Sequence, residues 1–124
     1  MFFSSPHQLG REGEEAARRF LEEKSYRMLA ANYRCPLGEI DLICKDGQTL
    51  VFVEVKSRRD TRKGLPEASV TAEKQKRLSK IAEWYLKENH YRGEYPVRFD
   101  VVSVLEPADG TGRHMELFRN AFGV

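Results

Sequence analysis

The sequence predicts an α/β fold: a mixed sheet flanked by helices, with its elements in the order αβββαβ. Two stretches of helical periodicity, Gly10 to Lys24 and one from Thr71 that ends at Asn89 or Gly93, enclose three runs of strand character, and a fourth strand follows the second helix. At the centre stands Gly38-Glu39-Ile40-Asp41-Leu42-Ile43, followed eight residues on by Val51-Phe52-Val53-Glu54-Val55-Lys56. Each run alternates charged and apolar residues, the period-two pattern of a strand with one greasy face and one chemical face. With 124 residues, 40% of them hydrophobic, the chain suffices for a single domain, 1–124, around one core.

Taken in order, residues 1–9 read as a loose lead-in. In the first helix Ala16, Ala17, Phe20 and Leu21 form one apolar stripe. Glu12, Glu14 and Glu15 fall in its first turns, where the helix dipole favours negative charge. A sharper role for one of them is to reach a carboxylate cluster on the sheet. Tyr26 to Tyr33 suits a first strand, and Arg34 to Gly38 a turn into the second. Asp46-Gly47 supplies the hairpin to the third strand, which ends near Ser57, because aspartate and glycine tolerate the positive φ of such a turn.

An exposed basic loop follows, Arg58 to Pro66. Thr71 then caps a long helix with Glu73 in its first turn, and Leu78, Ile81, Ala82, Tyr85 and Leu86 form its buried stripe. Lys76, Arg77 and Lys80 lie off that stripe. Lys74 lies nearly on it, and two readings are open: it snorkels to the surface, or it leans over the site. Pro96 to Leu105 is a fourth strand, apolar enough to be covered on both sides. Residues 106–124 form a peripheral C-terminal segment in which Met115 to Phe118 adds a short edge strand.

Composition narrows the function classes. Charged residues make up 32% of the chain, and no apolar run approaches the roughly 20 residues of a membrane span. Two cysteines, Cys35 and Cys44, are too few for a disulfide scaffold and suit reduced thiols in a cytoplasmic protein. His7, His90 and His114 show no ligand spacing. Net charge is only +2, but residues 56–80 hold nine Lys or Arg against three Asp or Glu. A solvated helix and loop is the plain reading of that run. Its start at the charged third strand makes phosphates the natural counter-charge.

Folding the hairpin back on itself places Glu39 and Asp41 on one face of the second strand, and Glu54 and Lys56 on one face of the third. Three like charges in so small a volume repel unless a cation or proton joins them, which makes this a candidate metal site. Glu39 sits about 7 Å along the strand from Asp41 at the usual rise. It is read as an outer-shell group, an arginine's partner or an extra ligand. Asp100, beside Arg98, reads as a structural ion pair.

The order of elements, with an acidic residue on the second strand and Glu-x-Lys on the third, resembles the PD-(D/E)XK nuclease superfamily. More narrowly, Gly10-x-x-Gly13-Glu14-x-x-Ala17, Asn32-x-Arg34, Gly38-Glu39-Ile40-Asp41-Leu42-Ile43, Phe52-Val53-Glu54-Val55-Lys56-x-Arg58 and Arg98-Phe99-Asp100-Val101-Val102 resemble the YraN group. That bacterial group of small predicted endonucleases is akin to archaeal Holliday-junction resolvases. Glu-x-Lys alone carries nothing, since Glu22-Glu23-Lys24 also satisfies it. Ile40 stands where the superfamily usually has Pro, with no loss of chemistry.

The resemblance, from about Gly10 to Leu105, implies a restriction-endonuclease-like three-layer core. It gives Asp41 and Glu54 as metal ligands, Lys56 as the catalytic lysine and Glu14 as the helix-one glutamate, binding directly, through water or at a second ion. Mg²⁺ or Mn²⁺ would be the cofactor, with the Val55 carbonyl as a further donor, since such ions take one or two carboxylates plus water and substrate oxygens. DNA, branched or otherwise structured, is the expected partner, held by Arg58, Arg59, Arg62, Lys63 and Lys74; a homodimer would suit symmetric cutting, and no membrane is involved. Neighbouring carboxylates should raise the Lys56 pKa above its ordinary value of ~10.4. The alternative is a catalytically silent module on the same fold that binds nucleic acid or protein.

Overall fold

Two apolar stripes, one from each helix, sort the sheet's side chains into two layers. In the computed structural model, which describes residues 6–58, 70–107, 110 and 112–122, the elements are α1 (Pro6–Glu23), β1 (Arg27–Cys35), β2 (Gly38–Asp46), β3 (Thr49–Arg58), α2 (Ala72–Glu88), β4 (Val97–Leu105) and β5 (His114–Phe122). The sheet order is β1-β2-β3-β4-β5. β3 and β4 pair in parallel, and the other neighbours are antiparallel. A parallel pair needs a crossover, and α2 supplies it.

Alternation along β3 shows how the layers form. Val51 and Val53 join Ala17 and Leu21 of α1, together with Leu42, Cys44, Val102 and Val104. Phe52 turns to the opposite side, where Leu78, Ile81 and Tyr85 of α2 meet Phe99 and Val101. The result is three layers, helix on sheet on helix, as the element order predicts. Phe52 and Phe99 are each only 1% exposed and stack with ring centroids 5.6 Å apart. Burying such a side chain contributes about 1.5–3 kcal/mol, so this pair anchors the α2 side.

α2 follows its sequence signals closely. The Thr71 Oγ1 accepts the Lys74 N–H at 3.2 Å, and Asn89 closes the other end. Elsewhere the boundaries shift. α1 begins at Pro6 rather than Gly10. β1 starts after Tyr26 and runs on to Cys35. Asp46 pairs with Thr49, so the turn residues are Gly47, at φ 61°, and Gln48. A two-residue loop with glycine first matches the strand twist, one position later than the Asp-Gly reading. β5 is longer than expected, nine residues along the outer edge of β4. Cys35 and Cys44 are free thiols. Among the described residues no helix is long and apolar enough to cross a membrane.

Candidate functional site

The β2–β3 ladder runs from Asp46↔Thr49 to Leu42↔Val53 and stops there. Beyond that point β2 remains paired with β1 as far as Cys35↔Gly38, while β3 remains paired with β4 as far as Arg58↔Leu105. The two strands therefore part, and the sheet opens into a fork. A backbone N–H left at such a parting needs an acceptor. Asp41 provides it: its Oδ2 accepts the Val55 N–H at 2.7 Å.

Strict alternation breaks at this point of β2. Ile40 and Ile43, three residues apart, both join the α2 side, while Leu42 joins the α1 side. On β1, Asn32 lies between the Ala31↔Leu42 and Tyr33↔Ile40 pairs with φ 52°. This irregularity corrects the expectation that Glu39 and Asp41 share one chemical face. Glu39 stands opposite Arg34 in the β1–β2 ladder and pairs with it at 3.0 Å, both side chains exposed. The cluster of three carboxylates from the hairpin alone does not form.

Glu54, on the same side of β3 as Phe52, is the hub of the fork. Its side chain is 13% exposed, and its Oε1 meets two lysines: Lys74 Nζ at 2.8 Å and Lys56 Nζ at 3.6 Å. Lys74 thus leans over the site from the first turn of α2. Glu14 reaches the same region from α1. The residue before it, Gly13, is buried, and a Cβ there would lie 2.1 Å from the Ser57 Oγ. Glycine lets α1 lie this close to β3 with the Ser57 hydroxyl left in place, and that approach puts the Glu14 charge within reach of Asp41.

The electrostatics follow from burial and crowding. Asp41 is pushed up from 3.8 to about 7, first by burial and then by the charges of Glu54 and Glu14, against the pull of the Val55 N–H and Lys74. The two lysines divide. Burial works to lower both; for Lys74, its bonds to Glu54 and Lys56 and the attraction of Glu54 and Asp41 win, and its pKa rises. For Lys56, burial and the adjoining Lys74 outweigh Glu54, and its pKa falls. This overturns the expectation of a raised Lys56, which counted the carboxylates and omitted both desolvation and the second ammonium.

Asp41 and Glu54 are hard oxygen donors, the first with its pKa held up by burial and then by its acidic neighbours, the second already in contact with two ammonium groups. Among the described residues no three His, Cys, Asp or Glu side chains are gathered closely enough to cage an ion by themselves. A pair of carboxylates is the donor number that suits Mg²⁺ or Mn²⁺, which rarely use all-protein cages and complete their shell with water and substrate oxygens. Arg58 ends β3 and is half-buried; Lys76, Arg77 and Lys80 are exposed along α2. Arg59, Arg62 and Lys63 lie outside the described residues.

Away from the fork, Asp100 has a structural role. Its Oδ1 accepts from Arg98 Nε and the Asn120 N–H, both at 2.9 Å, and its Oδ2 from the Tyr26 hydroxyl at 3.1 Å. The Arg98 Nη2 also donates to Asp46 at 3.0 Å. Sequence reading found the Arg98–Asp100 pair. It missed Tyr26 and Asn120, whose partners lie 74 and 20 residues away and leave no local pattern.

Comparison with known proteins gives these residues a family setting. The description of the Uncharacterised protein family UPF0102 matches residues 13–104. The chain belongs to this family. Similar UPF0102 proteins include one from Desulfosudis oleivorans, 49% identical over 93% of this chain and 89% of its own length. Another, from Syntrophus aciditrophicus, is 50% identical over 91% and 87% respectively. A third, from Symbiobacterium thermophilum, is 49% identical over 92% and 95%. The stretch matched to UPF0102 takes in Glu14, Asp41, Glu54, Lys56 and Lys74; β5 lies beyond it.

Proposed function

We propose that this UPF0102 member is a divalent-metal-dependent endonuclease that hydrolyses DNA phosphodiester bonds, selecting DNA by structure rather than by sequence. One observation carries the reading: Asp41, Glu54, Lys56 and Lys74, drawn from three elements, converge where β2 and β3 part. A module with no need of a cation gains nothing from crowding two carboxylates at a buried fork, because their repulsion is a standing cost.

In this reading Asp41 and Glu54 hold Mg²⁺ or Mn²⁺, with Glu14 acting directly or through water. The bound cation supplies charge relief on the phosphoryl oxygens and eases deprotonation of the attacking water. Lys56 orients that water and stabilises charge developing on the phosphate, where preorganised donors act most strongly. The basic stretch that begins at Lys56 and includes Arg58, Arg59, Arg62 and Lys63 holds neighbouring phosphates, which position DNA without reading its bases. Branched or junction DNA is the substrate class that suits such contacts. Symmetric cutting of a junction would require a two-fold homodimer, since both phosphodiesters must be presented alike.

The test is cleavage of junction, flap and linear duplex DNA in Mg²⁺ or Mn²⁺ by the wild type and Glu54→Ala. Cutting by the wild type that vanishes in the variant is the expected result. DNA binding indifferent to metal, with no cutting by either protein, would instead identify a silent binding module.

A further inference from the structure

Of the two ammonium groups on Glu54, Lys74 makes the closer contact, and it does so from another element. Its ammonium lies 2.8 Å from Glu54 Oε1, against 3.6 Å for Lys56. The carboxylate it meets is 13% exposed and Lys74 itself 28%, so water screens the pair only in part. A lysine in the first turn of a helix opposes the helix dipole, which favours anions there. Helix stability therefore does not account for its position. The backbone of Lys74 is fixed by the bond from its N–H to the Thr71 Oγ1. The part free to move is the four-carbon stem and its ammonium.

A hard cation needs the oxygen lone pairs that Lys74 now occupies. An ammonium donates protons and offers no lone pair, and its charge repels a second cation at the same oxygen. We infer that Lys74 is the resident counter-cation of Glu54, which an incoming divalent ion must displace, so that the lysine holds down the metal affinity of the free protein. The inference rests on the metal-dependent reading above. Its physical content is competition: Lys74 gives a largely buried carboxylate the nearer of its two ammonium partners, and the same contact obstructs metal loading. Lys74 is thus a positioning residue, acting on Glu54 rather than on a reacting atom.

The experiment is isothermal titration of Mn²⁺ into the metal-free full-length chain, without DNA, for wild type, Lys74→Met, Lys74→Gln and Lys74→Arg. Circular dichroism confirms that each variant is folded; Lys74→Gln carries the neutral measurement should Lys74→Met fail to fold. Losing a charge-assisted competitor should tighten Mn²⁺ binding about tenfold or more in the neutral variants. Lys74→Arg, which keeps the charge, should stay near the wild type. A neutral variant that is folded and binds Mn²⁺ equally or more weakly would overturn the inference and leave the metal site standing. If neither the wild type nor the neutral variants take up Mn²⁺, the inference and the metal-dependent reading fall together.

Discussion

Asp41 answers two demands with one carboxyl group. It must accept the Val55 N–H where the ladder ends, and it must do so half-buried beside Glu54. The second demand pushes its pKa from 3.8 to about 7, through burial first and neighbouring charge second. The folded chain then holds this proton more tightly than the unfolded chain does. Its stabilising effect is complete below the unfolded value and is lost as pH rises through about 7. Asp41→Asn keeps an acceptor for Val55 and carries no charge. In chelator its melting temperature should match the wild type near pH 4 and exceed it by roughly 3 °C or more at pH 8. Parallel melting curves across that range would mean that Asp41 is not desolvated. Excess Mn²⁺ should reverse the order at pH 8, because only the carboxylate gains from binding. Lys56→Ala addresses the other half of the site. It should lower cleavage by about a hundredfold or more, the effect of losing one preorganised donor, while a gel-shift assay shows DNA binding retained. Normal turnover in that variant would remove Lys56 from the proposed mechanism.

Among the elements, the contact between α1 and β3 positions the third carboxylate. Alanine is favoured over glycine inside a helix by about 1 kcal/mol, yet position 13 is glycine and faces the Ser57 hydroxyl. Gly13→Ala alone should therefore bring no gain or a loss, because its Cβ forces the Ser57 side chain to rotate. In a Ser57→Ala background the same change should stabilise, with a coupling of about 1 kcal/mol or more in a urea double-mutant cycle. Simple additivity would show that the helix has room to shift. This contact also marks the limit of what was legible in the chain. Periodicity and the Thr71 cap place the start of α2 locally; its end reads as Asn89 or Gly93, and the fold takes the earlier of the two. The hairpin and the buried strands are legible for the same reason, whereas local pattern alone also drew in Glu39, and the narrower set of Asp41, Glu54 and Lys56 came from the family resemblance. The parting of β2 from β3 is not, since it depends on which strand each edge pairs with beyond Leu42 and Val53. Nor is the choice between the two Lys74 readings, which depends on the distance between a helix turn and a strand. The Gly10-x-x-Gly13 spacing in α1 was a visible hint whose meaning needs the neighbouring Ser57.

At the scale of the whole molecule, the fork can open only if the rest of the sheet is tied elsewhere. The tie is the network around Asp100, the most buried charged residue described, at 1% exposure. Through Arg98, Asp46, Tyr26 and Asn120 it joins the β2–β3 hairpin, β4, β5 and the α1–β1 junction. Arg98 and Arg119 both lie over the Tyr26 ring, their guanidinium carbons 5.7 and 5.6 Å from its centroid. Burial, and then the charge of Asp100, push the Tyr26 hydroxyl up to about 12, so it remains a hydrogen-bond donor throughout the working range. Removing Arg98 would leave the Asp100 charge buried with neutral donors alone, a change that costs about 3–5 kcal/mol in comparable pairs. Arg98→Met should lower the urea-unfolding free energy by about that much. Adding Asp100→Asn should restore part of the loss, because the damage lies in the uncompensated charge rather than in lost packing. A loss below about 1 kcal/mol for Arg98→Met would show that the sheet is held by its two apolar layers alone. Mn²⁺ uptake by folded Arg98→Met should remain at the wild-type level, since Arg98 makes no contact with Asp41 or Glu54.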